Sequence, residues 1–280
     1  MIKLLPEECR PLAEYIYSIC AVTLDQSKSY LIEGRLGRLV EETGCGSFGC
    51  LVQRAKSESS RALQKRIIDA ITTNETLFFR DTAPFDLLRH RIVPDLIDRR
   101  RTGAARIRIW SAACSTGQEV YSLAILLKEL LGDPDRYGVR LIGTDISNDA
   151  IIRASRGWYN ATEIARGLSE PLRDKYFIRA RDGWQIRDEI RGIASFKHLN
   201  LMSDLSALGK FDIIFCRNVA IYFNESDKVS LFRRIHRALE PNGYLVIGAM
   251  ESLNGVAPQF ESKWHLRSVY YQAKTDSRTM

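Results

Sequence analysis

Apolar residues recur at helical spacing through the first 80 or so positions, then give way to short β-rich runs. Leu31, Leu36, Leu39 and Val40 fall on one helical face, and Leu63, Ile67, Ile68 and Ile71 on another. Gly44 and Gly46 punctuate the stretch between them. Ser59 or Ser60 is placed to cap the second helix, whose polar side carries Arg61, Lys65 and Arg66. A helical stretch follows over about 81–105, ending in a polar break at Thr102-Gly103. Beyond it strands and helices alternate: 107–112 with 118–131, 139–144 with 148–155, and 211–216 with 225–239, then strands at 244–247 and 269–272. That alternation predicts an α/β fold with a doubly wound, mostly parallel sheet. Such sheets bind ligands beyond the carboxyl ends of their strands. Residues 157–195 break the pattern and read as a short helical piece and a small hairpin, a subdomain inserted before the next strand. The expected organisation is a helical domain over 1–80, a linker helix over 81–105, a sheet domain over 106–274 and a tail over 275–280.

Composition narrows the class. The 280 residues are 45% hydrophobic and 27% charged, the balance of a globular chain with ample core. No apolar stretch approaches the roughly 20 residues a bilayer requires. Pro6, Glu7 and Glu8 interrupt the N-terminus before a signal-peptide core forms, so a cytoplasmic protein is expected. The net charge of +7 leaves a solvated face and a partner surface equally open, because acids are interspersed with bases. The densest basic run is Arg99-Arg100-Arg101. The absence of an aromatic-interleaved basic stripe argues against nucleic acid. The six cysteines form no C-x-x-C pair and the four histidines are scattered, so no metal site is expected. Each cysteine is expected to be a small buried hydrophobe, although Cys114 and Cys216 stand beside strand-end motifs.

The strand ends carry the candidate chemistry. After the first strand, Trp110 to Glu119 occupies the place of a G-x-G-x-x-G loop but keeps one glycine, Gly117. Several glycines let a backbone approach a pyrophosphate. Their absence counts against NAD and ATP, whereas a phosphate-free methyl donor can be met by small residues such as Ala112, Ala113 and Ser115. The second strand ends at Asp145, 28 residues after Gly117. A carboxylate there can accept both ribose hydroxyls; a turn or N-cap aspartate fits equally well. Arg217-Asn218 closes the strand at 211–216, an unusual pair at a buried strand end because both side chains demand partners. Amine methyltransferases acting on nucleic acid often carry Asn-Pro-Pro-Tyr there, and this chain does not. Ahead of the sheet, Asn74, Thr76 and Arg80 recur at about helical spacing and are placed to face one ligand across a cleft.

In order, TNETLFFR (73–80), SAACSTGQEVYSLA (111–124), GTDIS (143–147), HLNL (198–201) and FDIIFCRNVAIYF (211–223) resemble the chemotaxis receptor methyltransferases, the CheR family. The likeness runs from about 70 to 273, with a looser helical match before it, and TNETLFFR joined to CRNVAIYF is highly specific. The resemblance implies a Rossmann-like class I methyltransferase holding S-adenosylmethionine between the two domains and releasing S-adenosylhomocysteine. Asn74, Thr76 and Arg80 would contact the donor from the N-terminal side, with Arg80 on its methionine carboxylate. Glu119 would approach the donor's amino group and Asp145 its ribose. Asn200 with Leu201, and Arg217 with Asn218, would line the adenine and methionine ends, and Tyr222 would stand near the methyl group. The implied partners are the cytoplasmic domains of methyl-accepting chemotaxis receptors, at whose arrays a monomeric enzyme would act without inserting into the membrane. Their methylation regions are acidic helical bundles, so Arg61, Lys65 and Arg66, with Arg54 and Lys56, become the expected docking face. Some relatives grip a receptor's C-terminal pentapeptide with a longer, glycine-rich hairpin loop in the inserted subdomain. The shorter stretch from Ile178 to Trp184 predicts that this chain does without it. The alternatives are a methyltransferase for another carboxylate or small molecule, and a non-catalytic donor-binding module.

Overall fold

Four amphipathic helices open the chain: α1 (Pro6–Cys20), α2 (Ser29–Glu42), α3 (Phe48–Ser57) and α4 (Ala62–Ile71). The computed structural model describes residues 2–24, 29–99 and 106–274. The four helices enclose their own core, with Leu12, Ile16, Leu36, Phe48, Leu51 and Ile67 at its centre. Two details differ from expectation. Ile32 rather than Leu31 joins that core, because the buried stripe of α2 lies one position further round the helix. Neither Ser59 nor Ser60 is the N-cap of α4: Arg61 takes that place in a left-handed conformation. Glu58 accepts from the Leu63 amide at 2.7 Å and Ser60 only from the Ala62 amide at 3.2 Å.

The expected linker helix is divided into α5 (Thr82–Leu87), a π-helical turn over Leu88–Ile92, and α6 (Val93–Arg99). Pro94 explains the widening, since it offers no N–H to the carbonyl four residues back and its ring crowds that carbonyl. Arg100, Arg101, the break at Thr102-Gly103 and the tail over 275–280 lie outside the described residues.

The sheet domain then runs through β1 (Arg108–Ala112), α7 (Gln118–Leu131), β2 (Arg140–Asp145) and α8 (Asn148–Arg156). The insertion follows: β3 (Trp158–Asn160), α9 (Ala161–Ala165), α10 (Glu170–Tyr176), β4 (Phe177–Ala180) and β5 (Gly183–Ile186). Its strands form a separate antiparallel sheet in the order β3-β5-β4. Helix α11 (Asp188–Arg191) leads into β6 (Ala194–His198), β7 (Phe211–Cys216), α12 (Glu225–Ala238), β8 (Leu239–Ile247), β9 (Phe260–His265) and β10 (Ser268–Ala273). The main sheet is ordered β6-β2-β1-β7-β8-β10-β9, parallel from β6 to β8 and antiparallel beyond. Alternation along each strand fills both faces. Ile109, Ile213, Phe215 and Val246 pack on the α7 side, and Trp110, Ile214, Cys216 and Leu245 on the α12 side.

Strand β8 is longer than expected. Phe211 pairs with Leu239 and Ile213 with Tyr244, so residues 240–243 bulge from the ladder. Strand β9 was not anticipated: it is an edge strand in which Phe260 alone is buried, too little for an alternating signal. No helix among the described residues is long and apolar enough to cross a membrane. Strand order reverses between β1 and β7, and a crevice opens there beyond the strand ends.

Candidate functional site

The chain leaves β1 through Ala113, Ser115 and Gly117, with φ of 60°, 52° and 96°. These left-handed residues curl the loop back on β2, so the Cys114 amide donates to the Thr144 carbonyl at 2.9 Å and the Ser115 amide to Asp145 Oδ2 at 2.8 Å. Gly117 is doubly constrained: a Cβ there would stand 2.9 Å from Ala154 Cβ and 3.1 Å from the Tyr159 hydroxyl.

Asp145 is buried at the end of β2. Its Oδ1 accepts from the Ser147 amide at 2.9 Å, so both carboxylate oxygens are held by the backbone. It is a turn aspartate and not an N-cap: Ser147 caps α8, its Oγ accepting from the Ala150 amide at 3.1 Å. Burial pushes the Asp145 carboxyl above the usual aspartate range, opposed by its backbone bonds and by the charge of His198.

Beyond β7, Arg217 has a side chain only 2% exposed. Its Nη1 donates to Glu119 Oε2 at 2.8 Å, and its Nη2 to the Arg80 carbonyl at 2.8 Å and Asp81 Oδ2 at 2.7 Å. Its Nε–H is buried with no protein partner. The other oxygen of Glu119 accepts from Ser111 Oγ at 2.8 Å. Arg217 and Glu119 are thus bound to each other, because neither charge survives burial alone. Asn218 follows in the left-handed region, at φ 57°. Tyr222 ends a short 3₁₀ turn, and its carbonyl accepts from the Thr23 amide at 3.0 Å.

The segment carrying Asn74, Thr76 and Arg80 is not helical as its spacing implied; it runs irregularly from α4 toward α5. Phe78 anchors it, fully buried and edge-on to Tyr159 and Phe177 at centroid distances of 5.0 and 5.6 Å. The Asn74 carbonyl accepts from Ser115 Oγ at 2.9 Å, and Arg80 Nη1 donates to the Glu75 carbonyl at 3.2 Å. Asn200 donates through Nδ2 to the Ile19 carbonyl at 3.3 Å and accepts the Met202 amide at 2.9 Å.

All these elements converge on one cleft between the helical and sheet domains. Asn74, Thr76, Arg80, Glu119, Asp145, Asn200, Leu201, Arg217, Asn218 and Tyr222 all line it. The sequence reading missed the wall formed by the end of α1, the chain after it and α2: Cys20, Thr23, Leu31 and Arg35 also line the cleft. Arg35 donates to the Ile71 carbonyl at 2.5 Å and to Thr73 Oγ1 at 3.0 Å. Leu31 and Arg35 stand four apart on α2, and that pairing of an apolar and a basic residue outside the core stripe was the available signal.

Cys114 and Cys216 are buried, as expected of small hydrophobes. Burial drives both thiols well above their usual range, reinforced at Cys114 by the charges of Asp145 and Glu119 and at Cys216 by Glu251 and Glu119. Cys50 departs from the expected burial and is exposed. The five basic residues assigned to docking lie away from the cleft. Arg54 and Lys56 close α3, Arg61 caps α4, and Lys65 and Arg66 follow on α4. Three have partners: Arg54 donates to the Thr43 carbonyl at 2.6 Å, Arg66 pairs with Glu42 at 2.5 Å, and Lys56 Nζ stands 5.6 Å from the Tyr15 ring centroid.

Comparison with known proteins agrees with this architecture. Residues 7–72 match the family described as "CheR methyltransferase, all-alpha domain" and residues 74–267 match "CheR methyltransferase, SAM binding domain". The chain belongs to the CheR methyltransferase family. It is 40% identical over 265 residues to "Chemotaxis protein methyltransferase Cher2" of Pseudomonas putida, covering 93% of this chain and 95% of that one. It is 38% identical over 260 residues to "Chemotaxis protein methyltransferase 1" of Vibrio cholerae, covering 91% and 92%. The two CheR matches meet between residues 72 and 74, where α4 gives way to the segment that enters the cleft. This CheR chain is thus a chemotaxis-type, S-adenosylmethionine-dependent methyltransferase, with an all-helical domain ahead of its sheet domain.

Proposed function

We propose that the cleft binds S-adenosylmethionine and transfers its methyl group to glutamate side chains of methyl-accepting chemotaxis receptors, leaving S-adenosylhomocysteine. The observation that carries this reading is the convergence of all ten residues from five separate sequence segments on one cleft. The donor set suits that ligand. Asp145 lines the cleft with a carboxylate suited to a ribose hydroxyl, and the partnerless Nε–H of Arg217 calls for an acceptor such as a carboxylate. Arg80 would take the methionine carboxylate from the helical side, and Glu119 would approach the donor's amino group. Asn200 and Leu201 border the adenine, Asn74 and Thr76 close the near wall, and Asn218 and Tyr222 flank the reacting end.

The sulfonium donor, when bound, supplies an activated methyl group. The chain's own task is then alignment and exclusion of water. A glutamate carboxyl has an ordinary pKa of about 4.3 and is ionised at neutral pH, so no proton need be removed before its oxygen attacks. The cleft fits that requirement, because among the described residues no histidine lines it and burial raises the pKa of its thiols, Cys20 and Cys114. Esterification removes one negative charge from the receptor helix.

Receptor capture falls to the basic face of the helical domain, which brings the enzyme to chemoreceptor arrays. Because Arg54, Lys56 and Arg66 already have partners, Arg61 and Lys65 carry most of the uncommitted charge. The variant Arg61→Glu/Lys65→Glu is expected to slow receptor methylation about tenfold or more at low salt while calorimetric donor affinity stays unchanged. Equal loss of both would contradict this docking face. The insertion supports capture without a tether: Ala180 pairs with Gly183, leaving the tight turn Arg181-Asp182. A free receptor C-terminal pentapeptide is therefore expected to give no calorimetric signal, and micromolar binding would refute that.

A further inference from the structure

One half-buried carboxylate outside every motif ties together the two strand ends at the cleft. Glu251 lies four residues past β8. Its Oε2 accepts from the Asn218 amide at 2.7 Å and from the Gly248 amide at 2.8 Å. These amides stand just beyond neighbouring strands, where Cys216 of β7 pairs with Ile247 of β8. Gly248 makes the closure possible: a Cβ there would lie 2.5 Å from Glu251 Oε2 and 2.8 Å from Asn218 Nδ2. The carboxylate and the Asn218 carboxamide therefore pack directly over Gly248, where any side chain would have to displace them. Asn218 is left-handed, a conformation that persists only where its surroundings over-determine it. Two charge-assisted bonds converging on one oxygen supply that determination. Glu251 does not itself line the cleft, whereas Asn218 does.

We propose that Glu251 is a positioning residue for the methyl-donor cleft, fixing Asn218 in the conformation from which it meets the ligand. The inference rests on the donor reading of the cleft. Its test is calorimetric titration of the intact protein with S-adenosylhomocysteine, comparing wild type with E251A, E251Q, E251D, N218A and E251A/N218A. E251A is expected to bind about tenfold more weakly or worse, and E251D, one methylene short of both amides, to match it. E251Q keeps an acceptor oxygen for both amides and is expected to stay within about threefold of wild type. The double variant is expected to be little worse than the weaker single one, since both changes remove one interaction. A purely structural role would lower the thermal midpoint without this rescue and without this non-additivity. Wild-type affinity in E251A, or additive losses in the double variant, would overturn the proposal. If E251A does not fold, E251D decides in the same way. A wild-type protein that fails to bind the probe would instead overturn the donor reading itself.

Discussion

Replacing Arg217 with methionine is expected to lower the unfolding free energy by about 3 kcal/mol and to abolish measurable donor binding. The guanidinium is joined to both Glu119 and Asp81, and it also holds the Arg80 carbonyl. Removing one partner of a buried ion pair costs about 3–5 kcal/mol, because the charges left behind are neither hydrated nor paired. The lower figure applies because Asp81 is 43% exposed and regains water, whereas Glu119 is 14% exposed and does not. The loss of binding has a separate cause. Arg217 Nη2 joins β7 to the segment carrying Arg80, so its removal frees one wall of the cleft from the other. Urea unfolding measures the first effect and calorimetry the second. A loss under about 1 kcal/mol, with donor affinity intact, would show that the network is peripheral.

The second large effect concerns Asp145→Asn. A charge-assisted hydrogen bond is worth about 1.5–3 kcal/mol and a neutral one about 0.5–1.5, so two weakened ribose contacts predict about a 30-fold loss of affinity. The amide also turns an N–H₂ toward the Ser115 or Ser147 amide, setting donor against donor. Wild-type affinity carries a matching pH dependence. Because burial raises the Asp145 pKa, protonation on acidification begins above the usual aspartate range and removes the acceptor the ribose needs. Donor affinity should therefore fall as pH drops, and the asparagine variant should lack that component. An unchanged pH profile in the variant would remove Asp145 from the ribose site.

That these residues would share one cleft was legible because each follows a strand end or a dense motif, and topology decides where strand ends meet. Asp145 at the end of β2 and Arg217-Asn218 at the end of β7 needed only the alternation of strands and helices to be brought together. What stayed hidden depends on contacts distant in sequence. The Arg217–Asp81 pair spans 136 residues and the Asn218–Glu251 bond spans 33, and no periodicity connects them. Arg35 was overlooked because the residues of α2 that meet the cleft lie beside its core stripe, not in it. The segment 73–80 was read as helical because polar spacing cannot distinguish a helix from an irregular chain pinned at Phe78. Strand β9 escaped because an edge strand with one buried residue has no face to alternate.

The central claim is methyl transfer from S-adenosylmethionine to receptor carboxylates in this cleft. Its most direct test is incubation of the protein with methyl-labelled donor and membranes bearing native chemoreceptors, followed by mild base. The account predicts label on the receptor band, released as methanol by base and absent with the Asp145→Asn variant at limiting donor. Base-stable label, or label on small molecules while the receptors stay unmodified, would contradict it.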